Sequence, residues 1–370
     1  SLLSRVPGAR RALAAVGDAS ADHGFFSRLS HRVVAHPWLV ILAIVAILAA
    51  MAAPIGSMRM RTNVAEYIPQ GSSVRTAYDT LQADYPALAT PTISVVARTD
   101  AEGAAPLVNG IAQMEDVSSA RASALEGHDD MVLIRVFMDV EDPVGPRVTD
   151  AVEQIRATPV GYERWVGGTA ARQIDFIDSM AERAPWAIAI VVVAVFVLLL
   201  GMTGSLVVPL KALIINTFSL IASLGATSWL FEHGYLGLPQ TPGMQTFIVA
   251  CLVAFGFGLA MDYEVFLLAR ICEYWEAGHD NDDAVARGLQ RSGRIITSAA
   301  AIIIAVFLGF VSGDMISIKE IGVGLAIMVA ADATLVRLLL VPATMTVLGR
   351  WNWWAPAPVR RVYERLRQRA

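Results

Sequence analysis

Charge is scarce in this sequence. Only 17% of its 370 residues are Asp, Glu, Lys or Arg, where a soluble protein of this size carries about 25%. With 55% hydrophobic residues and a mean hydropathy of +0.53, the deficit excludes a disordered chain. The net charge of −4 leaves no basic footprint, so no nucleic-acid partner is expected. Two cysteines, Cys251 and Cys272, cannot build a disulfide framework. No C-x-x-C pair and no zinc-ligand spacing occurs, so no metal site is expected. Lysine is confined to Lys211 and Lys319. The first thirty residues hold neither an initiator Met nor the apolar core of a signal peptide, and the chain reads as the middle of a longer polypeptide.

What the sequence has instead is long apolar runs, at 38–53, 185–203, 206–231, 244–270, 293–311 and 321–348. A run of about 18 or more apolar residues reads as a membrane-spanning helix. The chain is therefore expected to be a polytopic α-helical membrane protein with one plus five transmembrane helices. The divisions are a basic linker at 1–36, a first span at 37–54, a polar domain at 55–184, a five-helix domain at 185–349 and a basic tail at 350–370. Pro37 suits the first turn of a helix and Pro54 is expected to end it.

The polar stretch alternates strand and helix patterns. PTISVVAR (91–98) predicts a strand and AAPLVNGIAQMEDV (104–117) a helix. SARASALE (119–126) and MVLIRVFMD (131–139) predict two strands turned at 127–130. GPRVTDAVEQIRAT (145–158) predicts a helix with Val148, Val152 and Ile155 on one face, and YERWVGG (162–168) a last strand. The order βαββαβ predicts an α+β domain of the ferredoxin-like kind, with Val95, Ile134 and Val136 facing its helices. A helix at 169–184 then leads into the second span at Pro185. The connection 271–292 is longer and polar, with an amphipathic helix capped by Asp280 or Asp282.

Arginine placement sets the expected orientation. Arg5, Arg10, Arg11, Arg28, Arg32, Lys211, the loop from Arg270 to Arg294 and the tail with Arg350 and Arg369 all fall on one side if six spans alternate. That side is read as the cytoplasm, with both termini in it. Residues 55–184, strongly acidic, are read as extracytoplasmic.

Ionisable groups inside the spans carry the functional reading, because a charge at mid-bilayer costs about 2.5–3.5 kcal/mol on insertion scales. Asp262 lies deep in the fourth span, on one face with Ala254 and Gly258, small residues that let another helix approach. Tyr263 stands next to it. Glu264 points to the other side, nearer the cytoplasmic end, where it can snorkel or pair with Arg270. Asp332 and Arg337 on the last span suggest a charge pair, within the helix or with a neighbour. Arg270, Lys319 and Glu320 read as interfacial. GFGLAM (256–261) reads as packing. No enzyme constellation stands out, and the chain reads as a non-enzyme.

Several motifs together resemble one family. GLAMDYEVFLLAR (258–270), RSGRIITSAAAIIIAVFLGF (291–310) and AADATLVRLLLVPATMTVLGRWNWWAP (330–356) look like the signature of the MMPL family of the RND superfamily. YIPQGSSVRTAYDTLQADYP (67–86) and WVGGTA (165–170) resemble its outer-domain motifs. The resemblance implies a multi-pass plasma (inner) membrane transporter, driven by the proton gradient without a cofactor, that exports lipid or other amphipathic, drug-like molecules. It implies a porter-type outer domain and a proton relay of Asp262 and Tyr263, supported by Asp332 and Arg337. It also implies a partner: an N-terminal half of the same transporter, in the same chain or as a second subunit. Two other readings stand beside it, a non-transporting membrane receptor or scaffold of RND architecture and a protein-translocation accessory.

Overall fold

The computed structural model describes residues 25–61, 67–69, 71–85 and 90–367. Most of the basic linker, including Arg5, Arg10 and Arg11, lies outside the described residues, as do Gln70 and Pro86 of the outer-domain motif and Arg369 of the tail.

Helix α1 is Phe25–Ala35 and α2 is Pro37–Ala52. Pro54 does not stop the first span, because a 3-10 turn, Ala53–Ser57, carries it on. Then come β1 (Met60–Arg61), α3 (Ser73–Asp84), β2 (Ile93–Ala97), α4 (Ala101–Ala112), β3 (Val117–Leu125), β4 (His128–Met138), α5 (Pro146–Ala157) and β5 (Arg164–Gly168). The rest is helical but for β6 (Met244–Gln245) and short connections: α6 (Thr169–Thr203), α7 (Val207–His233), α8 (Thr246–Glu276), α9 (Asn281–Gly309) and α10 (Ile316–Ala331). A π-helix, Asp332–Leu340, follows α10, and then α11 (Val341–Leu348) and α12 (Ala357–Arg367).

Among the described residues six helical stretches are long and apolar enough to cross a membrane. Helix is the form such runs must take in lipid, where every backbone N–H and C=O needs a partner within the segment. Two expected boundaries are corrected. The lead helix and the second span are one helix, α6, with Pro185 inside it. The polar connection at 271–292 shrinks to residues 277–280, since α8 runs to Glu276 and residues 281–292 are the first turns of α9. The Asp280 carboxylate fixes that start by accepting the Asp283 N–H at 2.7 Å.

The chain divides into two compact units. One comprises the described parts of Ser1–Met58, Ala187–Pro242 and Ile248–Ala370. Here α7 and the last span form the centre: their apolar stretches are 61% and 72% buried, against 11% in α2, α6 and α9. Lys211, read from the sequence as a basic marker of the cytoplasmic side, sits in α7 and is buried.

The other unit is Arg59–Trp186 with Gly243–Phe247. Its four-stranded sheet has the order β3-β4-β2-β5 with antiparallel neighbours. Alternation along β2 and β4 puts Val95, Ile134 and Val136 wholly inside. They pack with Leu107 and Ile111 of α4 and Val148, Val152 and Ile155 of α5. Helix α4 starts earlier than its apolar pattern suggests, because Asp100 caps it by accepting the Gly103 N–H at 2.8 Å. The hairpin turn is tighter than expected, at Glu126–Gly127.

Within this unit the chain on either side of the sheet is stitched by one charged clamp. Arg61, 5% exposed, holds both Asp142 carboxylate oxygens, at 2.8 and 2.7 Å. The Tyr67 hydroxyl donates to the Gly243 carbonyl at 3.0 Å, and β1 pairs with β6. The Arg61 hydrogen bonds hold the Asp142 carboxyl below the ordinary carboxylate value. Its stabilising contribution is thus complete above about pH 4, the usual value, and is lost as pH falls through the lowered one. A double-mutant cycle of Arg61→Ala and Asp142→Ala should give a coupling of about 1 kcal/mol at neutral pH. Thermal unfolding measured down the acid range should show the coupling vanish; a coupling independent of pH would contradict the clamp.

Candidate functional site

Residues five apart on an α-helix point about 140° away from one another. Asp332 and Arg337 meet because the backbone between them is π-helical, with i to i+5 bonding that brings such residues one above the other. The Arg337 Nε donates to Asp332 Oδ2 at 2.6 Å, with the side chains 1% and 8% exposed. The pair is thus made within the last span, which decides between the two arrangements that the sequence allowed. Tyr263 of α8 lies over the guanidinium, its ring centroid 5.3 Å from the Arg337 carbon, a cation–π contact.

Two further charges join from α7 and α8. Glu264 is 2% exposed and accepts a hydrogen bond from the Asn216 side-chain amide. Lys211, 8% exposed, interacts electrostatically with Glu264, as do Arg337 and Asp332. The result is a buried set of two acids and two bases. Its hydrogen bonding is incomplete: Glu264 Oε1, Asp332 Oδ1, both Arg337 Nη atoms and Lys211 Nζ have no partner among the described residues. A buried ionic set with spare donors and acceptors has more than one way to pair.

The structure separates the four expected relay residues. Tyr263, Asp332 and Arg337 come together. Asp262 does not join them; it is exposed on the opposite flank of α8, with Ala254, Phe255, Gly258 and Phe266 on the same open face. Among the described residues nothing lies within 4 Å of a Cβ added at Gly258. The glycine that permits close packing is Gly256, where a Cβ would collide with the Met328 sulfur of α10.

The expectation for Glu264 is also corrected. It neither snorkels nor pairs with Arg270, which binds Glu273 at 2.6 Å. Glu320, read as interfacial, is fully buried. The sequence reading missed Glu264, Asn216 and Lys211 as members of the cluster. The available signal was Lys211 and Asn216 inside one apolar run, five residues apart, with one of only two lysines in the chain.

Removing one partner of a buried pair strands the other. Arg337→Ala should therefore lower stability by about 3–5 kcal/mol, whereas the double change Asp332→Leu with Arg337→Met should lower it far less. Thermal unfolding of the purified protein in detergent measures both. Equal losses in the single and double variants would mean that packing, not charge, holds this region together.

The MMPL family model matches residues 66–369. The chain is 37% identical over 346 residues to the putative membrane protein SCO6666 of Streptomyces coelicolor, covering 92% of this chain and 48% of that protein. It is 34% identical over 354 residues to the heme uptake protein MmpL11 of Mycobacterium tuberculosis, covering 91% of this chain and 36% of that protein. It is 30% identical over 367 residues to the trehalose monomycolate exporter MmpL3 of the same organism, covering 93% of this chain and 39% of that protein. The chain thus spans between 36% and 48% of the length of these relatives. With the six apolar helices and a family match over most of its residues, this multi-pass membrane protein belongs to the MMPL family.

Proposed function

We propose that the chain supplies one proton-coupled unit of a secondary transporter that exports lipid or other amphipathic molecules. The observation that carries this is the buried set of Asp332, Arg337, Glu264 and Lys211, capped by Tyr263. Ionisable groups at such depth mark ion or substrate paths more often than they serve packing. A proton on Asp332 or Glu264 removes the charge that holds Arg337 or Lys211. Each protonation state then favours a different pairing, and a difference in helix packing between the two gives proton uptake something to drive.

Asp262 is the entry and exit point of the proton in this reading, with Tyr263 between it and the cluster. An aspartate facing lipid is costly, and its face is lined by the small residues Ala254 and Gly258. Both features support a second, similar unit packed there, in the same polypeptide or as a separate subunit. The length of the relatives supports this too. The α+β unit is the porter-type, ferredoxin-like domain, placed outside the inner membrane, with both termini in the cytoplasm. Its sheet order and its charge support that reading. The names of the relatives, trehalose monomycolate exporter and heme uptake protein, support an amphipathic cargo.

Proteoliposomes of the complete transporter under an imposed pH gradient test the relay. Asp262→Asn keeps size and hydrogen bonding but cannot ionise, and should reduce proton-driven export to background. Tyr263→Phe removes only the hydroxyl and should slow export. Near-normal export by a well-folded Asp262→Asn variant would make Asp262 structural.

Orientation has its own test. With Cys251 and Cys272 replaced by serine, a membrane-impermeant thiol reagent applied to whole cells should label Ser118→Cys and leave Trp354→Cys unmodified. The reverse pattern would invert the topology.

A further inference from the structure

Helix α1 is amphipathic, but its buried side faces protein rather than lipid. Phe26, Ser30 and Val33 are at most 6% exposed, and α1 packs on α9 and α11. The Phe26 ring sits so close to Gly293 of α9 that a Cβ there would lie 2.6 Å from it. The opposite side carries Arg28, His31, Arg32 and Ala35, all exposed and spaced three and four apart, with His36 just beyond. Residues 25–61 contain no carboxylate at all. Arg28 and Arg32 have no side-chain ion-pair or hydrogen-bond partner among the described residues.

What lies next to this basic face is lipid-facing surface. The backbone leaves helical geometry at His36 (φ −133°, ψ 56°), and α2 then presents Trp38, Leu39 and Leu42, 68%, 69% and 73% exposed. The neighbouring helix changes in the same order. On α9, Arg291 is exposed, Gly293 contacts α1, and Ile295 and Ile302 are about two-thirds exposed. On both helices exposed cations are followed along the chain by exposed apolar side chains. A tryptophan at that boundary suits the bilayer interface.

We propose that the outer face of α1 is a binding shelf for the headgroup of an anionic phospholipid. Arg28 and Arg32 hold the phosphate, and Trp38, Leu39 and Leu42 lie along the acyl chains. The occupant is a membrane lipid rather than a soluble anion because the cations stand directly beside apolar surface that needs acyl chains. It is an anionic lipid because neither guanidinium group meets a carboxylate among the described residues. Since the apolar side of α1 is already covered, the helix does not insert as a wedge, and charge alone sets the preference.

Native mass spectrometry of the purified chain, released from nanodiscs of equal phosphatidylglycerol and phosphatidylcholine, reads the preference directly. The unaltered protein should retain phosphatidylglycerol over phosphatidylcholine. The double variant Arg28→Gln with Arg32→Gln should bind it about 30-fold more weakly, the effect of two interfacial arginines. Arg28→Lys with Arg32→Lys keeps both charges and should keep the preference. If the glutamine variant fails to fold, high salt applied to the unaltered protein should weaken retention, since exposed charges are screened. Inorganic phosphate at matched concentration should not displace the lipid. Equal retention by the glutamine variant, salt-independent retention, or displacement by free phosphate would each overturn the proposal.

Discussion

A charge held inside a bilayer needs an opposing charge within reach, and in this chain one helix supplies both. Asp332 and Arg337 share the last span, and only the π-helical stretch between them lets them touch at 2.6 Å. The pair lies where the last span packs among the other helices. The last span is the most buried of the six, so its charges lie among other helices rather than against lipid. Tyr263 covers the guanidinium from α8, and Lys211 and Glu264 add a second acid and base. Helices α7, α8 and the π-helix are thereby tied by electrostatics as well as by apolar contact.

Such a cluster is a poor way to gain stability and a good way to store alternatives. Replacing buried ion pairs by apolar side chains is often neutral or stabilising. Here several donors and acceptors lack partners among the described residues, so the arrangement is not the one that best satisfies every group. Open donors and acceptors leave room for more than one pairing, which is the property that the proposed proton coupling uses.

The spans were legible because an apolar run can take only one form in lipid, and the sheet because alternation in residues 93–97 and 132–136 has period two. The helix pattern at 145–158 likewise gave Val148, Val152 and Ile155 as a buried face. The site was less legible for physical reasons. Ideal α-helical spacing separates Asp332 from Arg337, so nothing in sequence periodicity predicts the π geometry that joins them. Glu264 was sent to the wrong environment because its neighbour Asp262 was taken to define the inward face of the helix. Lys211 reads in the sequence as a topological marker because it is basic and near a run's end, and Asn216, five residues on, falls about 140° round an ideal helix, so the two do not mark one polar face. The start of α4 and the tight turn at Glu126–Gly127 were set by caps and turns that an apolar pattern does not record.

Asp262 poses the opposite problem to Asp332. The last span answers its own charges; Asp262 is exposed on a face of α8 with Ala254, Gly258 and two phenylalanines. Left in contact with acyl chains, that carboxylate would carry a penalty of about 2.5–3.5 kcal/mol or more. A single added leucine or two of lipid-facing surface does not offset it, since apolar side chains gain nothing against lipid that they lack against one another. Cover by another helix does. Small residues at 254 and 258 permit such an approach, which is why the proposed second unit is placed on this face. The two carboxylates differ by position: Asp332 has its counter-charge on its own helix, and Asp262 stands on the open face of α8, where the proposed second unit would cover it.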